Sequence, residues 1–324
     1  KFGADALRFS LMMLCASGSD VYLSEDKFLV GRNFANKIWN ATRFILSKVD
    51  VSTVATAWKP EELTDADIWI LASLNRLIDD VRASLDACRI NDAVKAIYDY
   101  FWSSFCDWYL EISKVETTAA KPAILVHVLK TVMKLLHPVM PFLTEEIYQK
   151  LRTDADAESI VIAAWPQKVE AGEESRVASF LKVQELVAAV RSFKKDLGVT
   201  ARVDVAVTSA HPANIEALRT AEGWVRLLGR TGDLFCAPFE EPSVGNATLD
   251  YVMYLRKSDV AGIDEHKKRI EKRVKELDGF IVSGEKKLAN KNFVERAPEE
   301  VVAGARETIE NNRKEKERLL RITW

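Results

Sequence analysis

The sequence is poor in the residues that build metal sites and disulfide bonds. Among 324 residues there are four cysteines and four histidines. The cysteines are Cys15, Cys88, Cys106 and Cys236, and no two of them form a CxxC pair. Since a zinc site needs clustered thiolates or imidazoles, this scarcity argues against a metal centre. Apolar neighbours flank each cysteine, which predicts buried, reduced thiols.

Long apolar runs and catalytic motifs are missing as well. No stretch approaches the roughly 20 apolar residues that a membrane-spanning helix needs, and no signal peptide is visible. We find no Gly-rich phosphate loop, no Ser/His/Asp set and no paired carboxylates, so the sequence offers no catalytic residue. The chain starts at Lys1, inside KFGADALRF, and from this we expect a fragment of a longer protein.

Net charge is small, but it is unevenly distributed. The formal net charge is −2. Residues 264–324 carry 16 Lys/Arg against 13 Asp/Glu, a net of +3, and the remainder carries 30 against 35, a net of −5. The carboxy-terminal piece is therefore the end more attractive to a polyanion.

Helical periodicity dominates the first 150 residues. Apolar residues recur at spacings of three and four over 71–88, 94–112 and 124–136, which predicts amphipathic helices. The prolines of HPVMPFLTEE end one helix, and another begins near Thr144. We predict a mainly α protein in which residues 1–168 form a helical bundle.

Residues 169–260 have a mixed pattern. It contains apparent helices at 178–197, where Gly198 ends the helix, and at 212–229. Alternating segments typical of short strands lie at 203–208, 234–239 and 251–256. We predict a small α/β connector here.

Heptad spacing marks residues 261–324. The first run places apolar residues at a and d positions, namely Ile263, Ile270, Val274, Leu277, Ile281 and Leu288. NKNFVERAP (290–298) interrupts the pattern, and a second run follows with Val302, Ala305, Ile309 and Leu319. Two such helices predict an antiparallel coiled-coil hairpin, an arm of roughly 40 Å.

Four residues weaken this heptad pattern. Gly279 and Gly284 lie inside the first helix, where each glycine costs about 1 kcal/mol relative to alanine. Asn312 and Lys316 place polar groups at a and d positions of the second helix. These features predict a less rigid arm.

Six segments together resemble the carboxy-terminal part of bacterial-type valyl-tRNA synthetases, a class I family. They are KFGADALRF, GRNFANKIWNATRF, FWSSFCDWYLE, LHPVMPFLTEEIYQKL, AAWP and KLANKNFVERAPEEVV, in this order. The resemblance covers nearly the whole chain and is weakest over 170–260. The first four segments also resemble, more loosely, the isoleucyl and leucyl enzymes, and the last looks specifically valyl.

The resemblance implies a helical anticodon-binding domain, a connector and a tRNA-bracing arm. Neither the HIGH-type nor the KMSKS-type signature of class I enzymes is present. The parent enzyme would be an ATP-dependent valine–tRNA ligase that uses ATP and Mg, whereas this chain would hold no cofactor and be inactive alone. The implied partner is tRNA(Val), with no membrane association, and we expect a cytoplasmic monomer.

The segment GRNFANKIWNATRF (31–44) combines aromatic rings with amides and cations. On a helical wheel, Phe34, Ile38, Ala41 and Ile45 fall within about 60° and form a core stripe. Two polar stripes remain, and each contains one aromatic ring: Asn33, Lys37, Asn40 and Phe44, and Arg32, Asn36, Trp39 and Arg43. Unpaired RNA bases stack on such rings and hydrogen-bond to such amides.

We predict that these two stripes bind the anticodon, with the Phe44 stripe and Arg43 favoured. The alternative is a bundle helix whose amides bond to neighbouring helices. In FWSSFCDWYLE we assign Phe101, Phe105 and Trp108 to the core. Trp102 is a further candidate for the RNA groove, with Asp107 and Glu111 beside it.

The arm carries the second set of candidates, for contact with the outer corner of tRNA through shape and phosphate. They are Lys267, Lys268, Arg269, Arg273, Lys286, Lys287, Arg306 and Arg313. Because acids interleave with them, an ordinary solvated coiled-coil face is the alternative. For the whole chain, two other interpretations stay open: the same region of an isoleucyl- or leucyl-type enzyme, and a helical scaffold that binds protein through the arm.

Overall fold

A computed structural model describes residues 2–14, 24–54, 57–290 and 299–324, with only the backbone at 299–300. The chain divides into two compact units, Lys1–Phe180 and Leu181–Trp324. The first unit is helical, and the second combines a small mixed sheet with helices. The predicted mainly α fold is therefore confirmed.

The first unit is a bundle of helices connected by short segments. Its helices are α1 (Ala4–Leu14), α2 (Leu29–Lys48), α3 (Asp65–Asp86), α4 (Ile90–Asp99), α5 (Leu110–Ile112), α6 (Lys121–Leu136), α7 (Pro141–Leu151) and the first turns of α8 (Glu174–Asp196). Single 3₁₀ turns lie at Glu25–Phe28, Pro60–Glu62 and Ile160–Ile162. The predicted bundle over the first 150 residues is confirmed.

Aromatic rings fill the centre of the bundle. Phe9 of α1 lies 4.7 Å from Phe34 of α2, measured between ring centroids, and Phe34 meets Phe101 edge-on at 5.9 Å. All three side chains are fully buried. Because each buried aromatic ring removes a large apolar area from water, this cluster ties α1, α2 and the segment after α4 together.

A π-helix, Tyr100–Tyr109, lies between α4 and α5. Phe101 and Phe105 are fully buried, as predicted, but Trp108 is only partly buried and lies edge-on to Phe180 at 6.4 Å. Tyr109 takes the core position instead. The residues buried here recur at intervals of five and four, as the wider turn of a π-helix gives, whereas the prediction rested on α-helical spacings of three and four.

The second unit contains a five-stranded sheet with the order β2-β1-β4-β3-β5. The strands are β1 (Val205–Thr208), β2 (Leu234–Phe235), β3 (Ser243–Ala247), β4 (Val252–Arg256) and β5 (Ile322–Thr323). Strands β1 and β2 pair in parallel, and the other neighbours in this sheet pair antiparallel. Helices α9 (Pro212–Thr220), α10 (Glu222–Gly229) and the rest of α8 accompany the sheet, and a 3₁₀ turn (Lys257–Asp259) follows β4.

Most connector predictions are confirmed, with two corrections. The predicted strand over 234–239 is only two residues long, and β3 and β5 had no strand signal in the sequence. Helix α8 ends as predicted, because Gly198 adopts a φ of 67° and Val199 N–H donates to the Lys194 carbonyl.

The hairpin consists of α11 (Ile263–Ala289) and α12 (Glu299–Leu320), which pack against each other. Arg273 of α11 pairs with Glu315 of α12, and Glu285, further along α11, pairs with the earlier Arg313, so the helices are antiparallel, as predicted. Their buried seam contains Ile270, Leu277, Ile281, Val302, Ile309 and Leu319. Most of the predicted interruption, 291–298, lies outside the described residues. After α12 the chain returns to the sheet, where β5 pairs with β3.

The two arm glycines have different surroundings. Helix α11 runs unbroken through both of them. A Cβ at Gly284 would lie 2.7 Å from Cγ1 and 2.9 Å from Cδ1 of Ile309, whereas a Cβ at Gly279 would meet nothing within 4 Å. Gly284 therefore lets the Ile309 side chain approach the α11 backbone, and its presence strengthens the seam.

The expectation of buried cysteines is wrong in part. Cys106 is buried, and burial raises the pKa of its thiol to about 12. Cys88, however, is exposed, and Cys236 is partly exposed. Cys88 follows α3 with a φ of 57°, where the chain turns at the surface. Cys15 lies outside the described residues.

Candidate nucleic-acid interface

Helix α2 has the core face that its sequence predicts. Phe34, Ile38, Ala41 and Ile45 are buried. Gly31 is buried beside α1, where a Cβ would lie 2.2 Å from the Ala6 carbonyl oxygen. This close approach holds α2 against α1, so the opposite faces of α2 are directed away from the bundle core.

Both predicted polar stripes lie outside this core. The side chains of Arg32, Asn33, Asn36, Asn40 and Arg43 are exposed, Trp39 retains 36% exposure, and Lys37 and Phe44 are partly buried. Within the described residues, the three asparagine side chains make no hydrogen bond, so the alternative in which these amides bond to neighbouring helices is not what the structure shows. Their donors and acceptors remain open to a ligand.

Lys37 connects α2 to the π-helix. Its Nζ lies 2.9 Å from Oδ1 of Asp107 and 5.0 Å from the centre of the Trp102 ring. The Trp102 ring in turn lies 5.5 Å from that of Tyr98. The structure thus places Lys37 of α2 beside Trp102 and Asp107 of the π-helix, which lie in a distant part of the sequence.

Phe44 lies about two helical turns beyond Lys37 on the same stripe. Lys114 Nζ is 5.6 Å from the centre of the Phe44 ring and 2.5 Å from a carboxylate oxygen of Glu111. Lys114 is exposed, and no sequence pattern singles it out. A ring next to a cation and close to exposed amides is suited to stacking an unpaired base.

A buried polar cluster stabilises the end of the π-helix. The Asp67 carboxylate is fully buried and accepts hydrogen bonds from Tyr109 Oη at 2.6 Å and from Lys121 Nζ at 2.6 Å. Asp67 also closes a capping box with Thr64 at the start of α3. Burial, followed by the Asp67 charge, raises the pKa of Tyr109. The cluster holds the element that carries Trp102 and Asp107.

The arm candidates differ in whether other groups of the protein engage them. Lys267, Lys268, Lys286 and Arg306 are exposed, and none has a carboxylate within 4 Å in the described part of the chain. Lys287 is also exposed, but it takes part in an interaction within the protein. The remaining three are engaged within the protein: Arg269 with the Asp196 carbonyl, Arg273 with Glu315, and Arg313 with Glu285.

The engaged residues link the two arm helices. Arg273 donates two hydrogen bonds to the Glu315 carboxylate, at 2.9 and 3.1 Å. Arg313 pairs with Glu285, and Lys316, expected to weaken the heptad pattern, pairs with Asp278. The polar residues in or near the seam therefore connect α11 and α12.

Comparison with known families assigns two parts of this structure. Residues 67–209 match the anticodon-binding domain of tRNA ligases. Residues 262–322 match the valyl-tRNA synthetase tRNA-binding arm, and these are the residues of the hairpin and β5. In these two ranges the chain is similar to an anticodon-binding domain of tRNA ligases and to a valyl-type tRNA-binding arm. Helix α2 lies before the first matched range, but it packs on the same bundle.

Curated relatives agree with this assignment. The chain is 36% identical to a valine–tRNA ligase of Thermotoga maritima over 99% of this chain, and 34% identical to one of Geobacter sulfurreducens over 99%. It spans 37% and 38% of the lengths of those two relatives. Over the described residues, no helix combines the length and apolarity needed to cross a membrane.

Proposed function

We propose that this chain is the tRNA-binding part of a valine–tRNA ligase, with the α2 face contacting the anticodon loop and the arm contacting the outer corner of tRNA(Val). Aminoacylation, which needs ATP and Mg, would be carried out by a catalytic region outside this chain. The chain would contribute orientation to the reaction by holding tRNA in a productive position. We propose a cytoplasmic monomer.

The α2 face is the observation that carries this proposal. It presents open amides, cations and two aromatic rings on a helix whose other side is buried, and the Lys37 contact extends it to Trp102. Such a surface offers stacking and base-edge hydrogen bonds together, which is what readout of single-stranded RNA requires. The matched family descriptions support an anticodon loop as that RNA.

Titration of labelled tRNA(Val) with the chain tests the proposal. We expect tighter binding to tRNA(Val) than to an unrelated tRNA at moderate salt. Equal affinity for both would contradict anticodon readout by this chain. Binding of neither RNA, with self-association through the arm in ultracentrifugation, would favour a protein-binding scaffold instead.

A substitution at Phe44 tests the favoured stripe. We expect Phe44→Ala to weaken tRNA(Val) binding by about 1–3 kcal/mol, the contribution of one base stack. Phe142→Ala is a matched control, because Phe142 is 70% exposed on α7 and belongs to neither stripe. Trp39→Ala distinguishes the stripes: a larger loss at Trp39 than at Phe44 would move the anticodon contact to the other face of α2.

A further inference from the structure

One face of α11 carries a row of lysines. Lys268, Lys272, Lys275, Gly279, Val282 and Lys286 follow one another at spacings of 4, 3, 4, 3 and 4. On an α-helix they fall within about 80° of one another. All six are exposed. We call this set the lysine stripe.

The acids in the second half of α11 are engaged away from the stripe. Asp278 and Glu285 pair with α12, and Glu276 lies beside Arg273. Asp264, one turn before Lys268, lies on the face of the stripe, and Glu271 lies next to it. Within the described residues, none of the four stripe lysines has a carboxylate within 4 Å. Their charge is therefore available to a ligand, unlike that of Arg273 and Arg313, which the hairpin itself uses.

The middle of the lysine stripe carries only small, uncharged residues. Gly279 has no side chain and open space around its Cα, and Val282 retains 49% exposure. Together they leave a shallow apolar gap between Lys275 and Lys286. A sugar edge or backbone segment can approach the helix closely at this point, with cations on either side.

We infer that the lysine stripe is the face of the arm that binds the sugar–phosphate backbone of folded RNA. The stripe extends over roughly 27 Å of helix and contains no aromatic ring, so it suits a double-helical segment, whose shape and phosphates are contacted without stacking bases. The α2 face differs from the stripe because it carries two aromatic rings, Phe44 and Trp39, on which bases can stack. This inference rests on the proposed function, and it adds Lys272, Lys275, Gly279 and Val282 to the candidates.

A charge-matched pair of variants tests the stripe. The stripe variant replaces Lys268, Lys272, Lys275 and Lys286 by Gln. The control replaces four exposed cations elsewhere, Lys95, Arg202, Arg219 and Lys314, by Gln, so that the net charge changes equally. Binding to labelled tRNA(Val) is measured by anisotropy over a range of salt concentrations, and folding by circular dichroism.

We expect the stripe variant to bind roughly tenfold or more weakly, and its log–log salt slope to fall by about 0.7–0.9 for each phosphate that it no longer neutralises. The control should keep the wild-type slope to within about 0.9, the value of a single phosphate. Equal effects of the two variants, or a stripe variant that binds like the wild type, would overturn the stripe while leaving the proposed function in place. A wild-type chain that binds no tRNA would overturn both.

Gly279→Leu tests the apolar gap separately from charge. Leucine favours helix over glycine, and the space around Gly279 is open, so the arm should melt at a higher temperature. The bulk of leucine should nevertheless weaken tRNA binding several-fold without changing the salt slope, because no charge is removed. Unchanged affinity in this more stable variant would remove Gly279 from the RNA-binding face.

Discussion

The helical bundle and the arm hold their surfaces in place by different means. In the bundle, α2 is backed by fully buried aromatic rings, and a buried polar cluster around Asp67 holds the end of the π-helix. In the arm, two helices share a narrow seam, and the ion pairs that link them, such as Lys316 with Asp278, remain exposed to solvent. The difference teaches that similar contacts have different energetic value in the two regions.

The largest difference in the loss of stability is expected when a lysine of an ion pair is replaced by methionine in each region. Lys121→Met leaves the Asp67 carboxylate buried without its cation, which typically costs about 3–5 kcal/mol. Lys316→Met breaks a pair whose side chains are 30% and 50% exposed, and should cost less than about 1 kcal/mol. Denaturant unfolding of the two variants measures both values.

Adding Asp67→Asn to Lys121→Met should recover part of the lost stability, because the unpaired charge is removed. Similar losses for Lys121→Met and Lys316→Met would show that the two ion pairs do not differ in the way that their burial implies.

A pH-dependent contribution is expected from the bundle. Burial, followed by Lys130 and Lys134, lowers the pKa of His127 to about 4 from 6.5. As pH falls below 6.5 the unfolded chain takes up this proton first, so the free energy of unfolding should fall by about 3 kcal/mol by pH 4 and stay level above pH 6.5.

His127→Phe isolates this contribution, because it removes the titration and retains a ring against Trp58, whose centroid lies 5.4 Å away. Denaturant unfolding at pH 7 and pH 4.5 should show a smaller difference for the variant than for the wild type. Identical pH dependence of the two proteins would mean that the pKa of His127 is the same in the folded and unfolded chains.

The two arm glycines are expected to respond in opposite directions to alanine. Gly284→Ala forces the Ile309 side chain aside and should destabilise the arm by about 1–3 kcal/mol, as overpacking does. Gly279→Ala should stabilise it by about 1 kcal/mol, the helix-propensity difference. Thermal melts followed by helical circular dichroism measure both.

A double-variant cycle identifies the cause at Gly284. Ile309→Ala removes the atoms that the new Cβ would meet, so Gly284→Ala should cost less in that background. If its cost is the same with and without Ile309, the seam contact is not the reason for the glycine.

Sequence patterns predicted the helices and strands better than they predicted which residues those elements bring into contact. The core stripe of α2 follows from helical spacing, and the seam of the arm follows from heptads, because burial of one face imposes a period on a regular helix. In the π-helix the same spacing gave the wrong core residue, because Tyr109 is buried there and Trp108 is only partly buried. Strand β3 was missed because Gly245 and Asn246 are poor strand formers, and β5 is too short to show a period.

By itself the sequence determined the helical bundle, the hairpin, the polar stripes of α2 and the candidate cations of the arm. Only the tertiary structure decided which of those cations remain available and which, like Arg273 and Arg313, connect the arm helices. It alone placed Trp102 beside Lys37 and Ile309 against Gly284. The physical reason is that periodicity records which face of an element is buried, whereas a contact between distant residues depends on how two elements meet.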